Sequence, residues 1–363
     1  MGKLFGTDGI RGVANKDLTA ELAFRTGQSG AYVLTKQAKH KRPRILIGKD
    51  TRQSGDMLEA ALTAGLCSMG AKVIPLGIIP TPAVAYLTRL YNADAGVVIS
   101  ASHNPCEYNG IKFFNGDGYK LKDEIEDEIE DYIEGRKTIG ELPTHGDVGY
   151  VSANHNAVED YVKFAVSTTD TSLEGLKIAI DCANGASYQT AFKALNKLGA
   201  SVEAIHNTPD GKNINDMCGS THMESLQQYV VSIGADVGIA FDGDADRMLA
   251  VDEKGNLIDG DQIMAICAKY LMDHGKLAKI VTVMPQVLYN ARVKPEYKTK
   301  YMEIKEIADK ISEIESEFAG EGRVLIRPSG TEPLVRVMIE GKDKANIDIK
   351  AKTLAELIEK VCG

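Results

Sequence analysis

Apolar, strand-like runs alternate with amphipathic helical patterns over the first 284 residues, and this alternation constrains the fold more than any other feature. Buried strands are predicted at 44–50 (RILIGKD), 72–76 and 95–99, with helices at 55–70 and 81–91 between them. Repeated strand–helix–strand units predict a parallel, doubly wound α/β sheet. Ligands bind such sheets at the carboxyl ends of the strands, where GKDTR (48–52) and SASHNP (100–105) lie.

A second α/β unit follows a loop near 136–155. Its predicted elements are strands at 176–181, 201–205 and 235–241, helices at 188–198 and 223–233, and a hairpin over 248–258. A third unit begins with a helix at 262–274 and a strand at 279–283, but Pro285 follows at once and the pattern changes. One helix and one strand bury little apolar surface alone.

The remaining chain predicts an α+β segment. Its elements are a strand at 287–293, a helix at 302–317, two strands flanking 327–333 and a final helix at 343–361. The predicted domains are therefore 1–150, 151–257, a remnant at 258–284, and 285–363.

Charge and composition exclude several classes of protein. The chain of 363 residues carries 51 acidic and 42 basic side chains, for a net charge of −9, which argues against a nucleic-acid partner. Six cysteines without a CxxC pair suit reduced thiols in a cytoplasm. No apolar run approaches the roughly 18 residues of a membrane span, so no membrane partner is expected.

The DGDADR motif carries three carboxylates, Asp242, Asp244 and Asp246, directly after an apolar strand. In an extended loop, alternate residues lie on one side. Hard oxygen ligands suit Mg²⁺, and three carboxylates so close together would repel one another without a cation. A solvated acidic turn is the alternative, but the strand before the motif and Arg247 after it favour the metal.

Ser102 and His103 follow the strand at 95–99. A serine in that place can act as a nucleophile or carry a phosphoryl group. The alternative is an Asn-Pro turn with capping hydroxyls. No GxSxG motif occurs, so an α/β-hydrolase is disfavoured.

The RPSGTEP segment combines arginine, hydroxyls and a glycine, which suits a phosphate cradle between two strands. The candidate residues are Arg327, Ser329, Gly330 and Thr331 of this segment and Arg336 beyond it. A tight turn is the alternative, and no GxxxxGK[ST] motif indicates a P-loop. A cation site, a hydroxyl nucleophile and arginine-rich anion sites together favour phosphoryl transfer.

Four motifs occur in the order typical of the α-D-phosphohexomutase superfamily, which the chain resembles over nearly its whole length. They are FGTDGIRG (5–12), ASHNPCEYNGIKFF (101–114), FDGDADR (241–247) and RPSGTEPLVRVMIE (327–340). The first and last are similar to those of the glucosamine branch. The resemblance implies mixed α/β domains followed by a C-terminal α+β domain.

The resemblance also implies a reaction. Ser102, as a phosphoserine, would pass its phosphoryl group to O1 of glucosamine 6-phosphate. The bisphosphorylated sugar would then reorient and return its 6-phosphate to the serine. The product would be glucosamine 1-phosphate, a precursor of UDP-N-acetylglucosamine and of the cell wall. A sugar 1,6-bisphosphate would activate the serine, and a homodimer is compatible with the resemblance.

The superfamily assigns roles to the matching residues. One Mg²⁺ per chain would be held by Ser102, Asp242, Asp244 and Asp246. Basic residues near the reacting phosphate would be Arg11, His103, Lys112 and Arg247, some of them helping with proton transfer. The four candidate residues of the RPSGTEP segment, together with Arg336, would bind the non-reacting phosphate.

One departure from the superfamily stands out. The third domain of the superfamily carries a GE-x-SGH-type loop that recognises the sugar hydroxyls, and this chain has no such motif. The deficit is on the order of 80–100 residues, most of one domain, and falls at 284–285. Activity on glucose or mannose phosphates, or a catalytically impaired form that binds phosphosugars, therefore remain alternatives.

Overall fold

Three β-sheets organise the part of the chain that the computed structural model describes, namely residues 4–6, 9–36, 40, 42–153, 156–275, 285–318, 322–329 and 333–363. The chain divides into two units, Met1–Cys267 and Ala268–Gly363. Two sheets belong to the first unit and one to the second. The predicted strand at 279–283 lies outside the described residues, and so do Gly330 and Thr331.

The first sheet has six strands in the order β1-β5-β4-β2-β3-β6. Their bounds are β1 (Ile10–Val13), β2 (Arg44–Lys49), β3 (Lys72–Ile78), β4 (Ala95–Ile99), β5 (Tyr108–Asn115) and β6 (Tyr150–Val151). The helices of this region are α1 (Ala20–Thr35), α2 (Ser54–Ser68), α3 (Thr81–Leu90), α4 (Asp123–Ile133) and α5 (Ala157–Ser167).

The first sheet is mixed, as the resemblance implies, whereas the alternation of strands and helices by itself predicts a parallel one. Strands β2, β3 and β4 are parallel, but β5 runs antiparallel to both β4 and β1. The eight residues between β4 and β5 are too few for the helical crossover that a parallel strand would need. The chain therefore turns back directly after β4, through the loop that carries Ser102.

Both faces of the first sheet are covered by helices. Ile45 and Ile47 of β2 belong to a core shared with α1, α2 and α4, whereas Leu46 belongs to the core shared with α3. Period-two alternation along a strand explains this division. All three side chains are essentially inaccessible to solvent.

Helix α1 was not predicted, because Gly27 and Gly30 weaken its helical pattern. The structure shows what Gly27 provides. A Cβ atom there would lie 2.4 Å from the Leu62 carbonyl oxygen of α2, so the two helices approach closely only because that atom is absent. Strands β1, β5 and β6 and helix α5 were also missed, since their segments are short or carry no clear period.

The second sheet has the order β11-β10-β9-β7-β8. Its strands are β7 (Lys177–Asp181), β8 (Ser201–Ile205), β9 (Val237–Phe241), β10 (Met248–Asp252) and β11 (Leu257–Ile258), accompanied by helices α6 (Thr190–Lys197), α7 (Glu224–Ile233) and α8 (Gly260–Asp273). Strands β7, β8 and β9 are parallel. The predicted β10–β11 hairpin is confirmed by antiparallel pairing of Val251 with Leu257.

The second unit is α+β, as predicted. An antiparallel sheet in the order β12-β14-β13 packs against two helices. Its elements are β12 (Gln286–Arg292), α9 (Lys305–Phe318), β13 (Gly322–Pro328), β14 (Leu334–Gly341) and α10 (Lys344–Cys362). Asp343 caps α10 by accepting hydrogen bonds from the backbone N–H groups of Ala345 and Asn346. Among the described helices of the chain, none is long and apolar enough to cross a membrane.

Candidate active site

Ser102 lies in the loop between β4 and β5, with only 3% of its surface exposed. Its backbone is left-handed, with φ +53°, which is unusual for a residue with a side chain. The hydroxyl donates a hydrogen bond of 2.7 Å to Asp242 Oδ2 and accepts one from Arg247 Nη2. The loop thus presents a single buried hydroxyl between a carboxylate and a guanidinium.

The carboxylates of Asp242, Asp244 and Asp246 converge in the loop that follows β9. One ligand oxygen from each lies within 4.8 Å of the others. Asp244 Oδ2 accepts a hydrogen bond of 2.6 Å from Thr81 Oγ1, but its Oδ1 is buried and has no partner among the described residues. An orphaned buried carboxylate oxygen beside two further carboxylates fits a hard divalent cation such as Mg²⁺.

The electrostatics of this loop favour a cation as well. Burial, together with the charges of Asp242 and Asp246, raises the pKa of Asp244 to about 7. Burial and the charge of Asp242 also raise the pKa of Asp246. Both shifts express the cost of clustered negative charge out of water, which a bound cation would remove.

Gly243 allows the loops of Ser102 and of the three aspartates to touch. A Cβ atom on Gly243 would lie 2.6 Å from the Ser102 carbonyl oxygen and 2.7 Å from Asn215 Nδ2. Any side chain at this position would push the two loops apart. The glycine is therefore needed for the backbone approach that brings Ser102 to Asp242.

Arg247 connects the carboxylates to His103. Its Nε donates to Asp242 Oδ2 at 3.0 Å, and its Nη2 donates to His103 Nδ1 at 2.7 Å. Burial, and then the positive charges of Arg247 and Arg11, lower the pKa of His103. Because arginine only donates, Nδ1 is the acceptor, and a neutral His103 carries its proton on Nε2.

Arg11 and Lys112 lie on adjacent strands near this site. Arg11 of β1 pairs with Gly110 of β5, and Lys112 lies two residues further along β5, on the same face of the sheet. The charge of Arg11 contributes to the lowered pKa of His103, and the charge of Lys112 partly opposes the upward shift in the pKa of Asp246. Both cations are therefore close enough to affect the site electrostatically.

A second group of donors, Asp181, His206 and Cys218, also lies within 4.8 Å of one another. Here the Asp181 carboxylate already accepts hydrogen bonds from the N–H groups of Ala183 and Gly219 and pairs with His206 Nδ1 at 2.9 Å. Burial raises the pKa of the Cys218 thiol to about 12. We assign this cluster to holding loops in place.

In the second unit, Arg327 of β13 and Arg336 of β14 lie directly opposite each other. Both are exposed, and within the described residues neither forms an ion pair with an acid. Ser329 is buried, and its N–H donates to the Leu334 carbonyl at 3.0 Å. Two exposed arginines side by side favour an anion between them.

Three residues that support the Ser102 loop were missed by the sequence analysis: Asp50, Arg52 and Asn215. Arg52 donates to the carbonyls of Ser102 and Asn104, and Asn215 Nδ2 donates to the same two carbonyls. The sequence carries a signal for Asp50 and Arg52, because the GKDTR motif that contains them follows a strand at the same predicted sheet edge as Ser102. Nothing in the sequence around Asn215 indicated its role.

Family models match most of the chain. Domain I of the phosphoglucomutase/phosphomannomutase family, an alpha/beta/alpha domain, matches residues 2–139, and domain II matches residues 156–255. The C-terminal domain of the same family matches residues 288–357. The motifs that contain Ser102, Asp242 and Arg327 each fall within one of these matches.

Curated relatives decide the family. A phosphoglucosamine mutase of Clostridium acetobutylicum is 52% identical over 447 aligned positions, which span 99% of this chain and 99% of the relative. This chain belongs to the phosphoglucosamine mutase family. That of Ruminiclostridium cellulolyticum is 50% identical, again over 99% of both chains. The chain is thus a phosphohexomutase, an enzyme of the class of isomerases that transfer a phosphoryl group intramolecularly.

Solved structures agree on the phosphohexomutase fold. A phosphoglucomutase/phosphomannomutase family protein of Burkholderia thailandensis has a TM-score of 0.75 at 19% identity, covering 99% of this chain and 98% of its own. The N-acetylphosphoglucosamine mutase of Aspergillus fumigatus, in complex with GlcNAc-6P and magnesium, has a TM-score of 0.58 at 15% identity, covering 99% of this chain and 96% of its own.

The alignment with the Clostridium acetobutylicum enzyme is longer than this chain. It has 447 positions, whereas the chain has 363 residues, so at least 84 positions have no residue of this phosphohexomutase opposite them. The matches to family domains leave residues 256–287 between domain II and the C-terminal domain.

Proposed function

We propose that this phosphohexomutase interconverts glucosamine 6-phosphate and glucosamine 1-phosphate, with Ser102 carrying the phosphoryl group between the two positions of the sugar. The observation that carries the proposal is the buried Ser102 hydroxyl, set between Asp242 and Arg247 beside an orphaned Asp244 oxygen. The relatives at about 50% identity, each named phosphoglucosamine mutase, support this sugar over glucose and mannose.

In the first half of the reaction, the bond between phosphorus and Ser102 Oγ breaks as sugar O1 bonds to the phosphorus, and overall one proton leaves the O1 hydroxyl while Ser102 Oγ gains one. The second half runs the same exchange at O6 in reverse, so the serine ends phosphorylated again. The geometry favours Ser102 for this role, because the Ser102 hydroxyl donates a hydrogen bond to Asp242 and this bond orients Oγ.

The three aspartates would hold one Mg²⁺ per chain, together with an oxygen of the phosphorylated Ser102. When bound, Mg²⁺ supplies positive charge that offsets the negative charge on the transferring phosphoryl group. Asp242 and Asp244 are almost fully buried, and Asp246 is partly exposed. The open side at Asp246 leaves room for the phosphoryl oxygens.

Arg247 and His103 would bind the remaining phosphoryl oxygens. His103, whose lowered pKa keeps the ring neutral with its proton on Nε2, would donate a hydrogen bond from Nε2 to a phosphoryl oxygen. Arg11 and Lys112 would add positive charge on the same side. In the second unit, Arg327 and Arg336, together with Ser329, Gly330 and Thr331, would bind a further phosphate.

We also propose that the alignment positions without a counterpart here correspond to a third domain, of which 258–284 is a remnant. Helix α8 supports this, because it exposes large apolar side chains at Met264, Ile266, Tyr270 and Met272. Such surfaces normally contact another part of a protein. Without that domain, phosphoryl transfer to Ser102 would persist, while turnover of the sugar would be slow.

A sugar 1,6-bisphosphate would serve as activator by phosphorylating Ser102. An Aspergillus fumigatus relative with a Ser-to-Ala substitution forms a complex with glucose 1,6-bisphosphate, which supports this class of compound. All six cysteines are unpaired, which fits a reducing cytoplasm as the place of the reaction.

The test is mass spectrometry of the full chain after incubation with glucose 1,6-bisphosphate and Mg²⁺. The proposal predicts the mass gain of one phosphoryl group, located on Ser102 by peptide mapping. A chase with glucosamine 6-phosphate should remove it and yield the bisphosphate. Phosphorylation at another residue, or none, would refute the role of Ser102.

A further inference from the structure

Arg52 is a fully buried arginine whose side chain meets the Ser102 loop rather than solvent. Its guanidinium has five N–H donors, and the structure gives a partner to each. Nε donates to Asp50 Oδ2 at 2.9 Å. The two terminal nitrogens donate to four backbone carbonyls, those of Ser102, Asn104, Pro105 and Tyr108.

The partners of Arg52 show why the loop needs a guanidinium. A left-handed residue at Ser102 and the turn that follows direct the carbonyls of four residues between 102 and 108 toward one guanidinium. A planar fork of five donors can satisfy four carbonyls at once, whereas a lysine ammonium has three donors and no fixed plane. The charge of Arg52 is balanced by the equally buried carboxylate of Asp50.

Asp50 extends the network to the other side of Ser102. Its Oδ2 accepts a hydrogen bond of 2.5 Å from Ser100 Oγ. Ser100 Oγ in turn accepts a hydrogen bond of 2.9 Å from the backbone N–H of Ser102. The backbone of Ser102 is therefore fixed at its N–H through Ser100 and at its carbonyl through Arg52. The strained φ of +53° is held from both ends.

We propose that Arg52, balanced by Asp50, is the positioning residue that holds the Ser102 loop in the conformation that accepts and returns a phosphoryl group. It is not a phosphate ligand, because all five of its donors are already used. This inference rests on the proposed function of Ser102 but adds a residue whose removal acts through the loop backbone.

The main test compares wild type, Arg52→Lys and the control Arg25→Lys, an exposed arginine of α1, as full chains. The rate of Ser102 phosphorylation by glucose 1,6-bisphosphate is measured at saturating donor, together with the half-saturating donor concentration. Arg52→Lys should slow the saturated rate by about 100-fold, the loss expected from displacing a reacting group by an ångström. The half-saturating concentration should stay within about threefold, since contacts to the phosphate are unchanged.

A second readout does not depend on activity. Hydrogen–deuterium exchange should become faster for the amides of Ser102 and Asn104 in Arg52→Lys and stay unchanged in residues 242–248. If the wild-type chain accepts no phosphate, the proposed function is overturned, and the exchange result alone then decides the role of Arg52. Unchanged exchange in the Ser102 loop of Arg52→Lys, or a saturated rate of Arg52→Lys within threefold of wild type, would overturn the positioning role of Arg52.

Two further variants cover the case in which Arg52→Lys does not fold. Ser100→Ala leaves the buried ion pair intact but removes the link to the Ser102 N–H, and it should slow phosphorylation by about tenfold, the equivalent of one hydrogen bond. Arg52→Ala should regain activity when guanidinium ions are added at low concentration. A Ser100→Ala rate equal to wild type, without rescue of Arg52→Ala, would contradict the inference.

Discussion

Ser102 Oγ and Asp242 Oδ2 lie 2.7 Å apart although 140 residues separate them in the chain. Ser102 follows a strand of the first sheet, and Asp242 follows a strand of the second. The site is therefore made where the carboxyl ends of strands from two α/β sheets meet. Two residues maintain this contact between the loops. Gly243 has no side chain and so leaves room for the Ser102 carbonyl, and Asn215 Nδ2 donates a hydrogen bond to that carbonyl.

Replacing Ser102 with alanine should abolish phosphoryl transfer while leaving the fold intact. The hydroxyl is the only atom lost, and its neighbours Asp242 and Arg247 remain paired with each other. The measurement is sugar turnover and phosphoryl incorporation by mass spectrometry, with thermal unfolding as the check on the fold. Ser167→Ala, at an exposed serine of α5, is the control and should behave as wild type.

Asp244→Asn should weaken Mg²⁺ binding by at least about tenfold, because one of three clustered charges is lost. Isothermal calorimetry on the full chain measures this directly. An unchanged affinity would show that the carboxylates of this loop do not hold the metal. Asp252→Asn is a suitable control, since that aspartate lies outside the cluster and bonds to the N–H groups of Lys254 and Asn256.

The raised pKa of Asp244, about 7, predicts how metal-free stability depends on pH. In the unfolded chain an aspartate has a pKa of about 3.9. Between these two pKa values the folded protein binds more protons than the unfolded chain does. The stabilisation that the protonated Asp244 contributes is therefore complete below about pH 4 and is lost as the pH rises through 7. Chemical unfolding in a chelator should show wild type losing more stability than Asp244→Asn between pH 5 and pH 8.

The same titration predicts proton release on metal binding. Mg²⁺ must displace a proton from Asp244 below about pH 7, so its apparent affinity should fall by about tenfold per pH unit there. Calorimetry in two buffers of different ionisation enthalpy would count the released protons. Affinity that is flat from pH 5.5 to 8 would contradict this assignment of the titrating group.

Much of this site could be predicted from the sequence, and the exceptions have physical reasons. Ser102 and the three aspartates stand directly after apolar strands, where side-chain chemistry is readable from the motif alone. Arg52 and Asn215 donate hydrogen bonds to backbone carbonyls. Because every residue has a carbonyl, the sequence does not show which carbonyls need such a partner. The antiparallel strand β5 is not predicted, because its first residues, Tyr108, Asn109 and Gly110, are typical of a loop and directly continue the motif that begins at Ala101.

Gly243→Ala should disable the enzyme without removing any functional group. The added methyl would collide with the Ser102 carbonyl and with Asn215, so the two loops would move apart. We expect at least about a 100-fold loss of phosphoryl transfer, from misplacement of Ser102 relative to Asp242. Gly146→Ala is the matched control, because a Cβ there meets open space. Equal rates for the two variants would show that the close approach is dispensable.

Labelled phosphate tests most directly whether this chain moves a phosphoryl group through Ser102 onto an amino sugar. The full chain is phosphorylated with ³²P-labelled glucose 1,6-bisphosphate and Mg²⁺, then chased separately with glucosamine, glucose and mannose 6-phosphates. We predict that label leaves Ser102 fastest for glucosamine 6-phosphate and appears in its 1-phosphate, with slower overall turnover than the Clostridium acetobutylicum enzyme. Label that never enters Ser102, or that transfers equally well to all three sugars, would contradict the account.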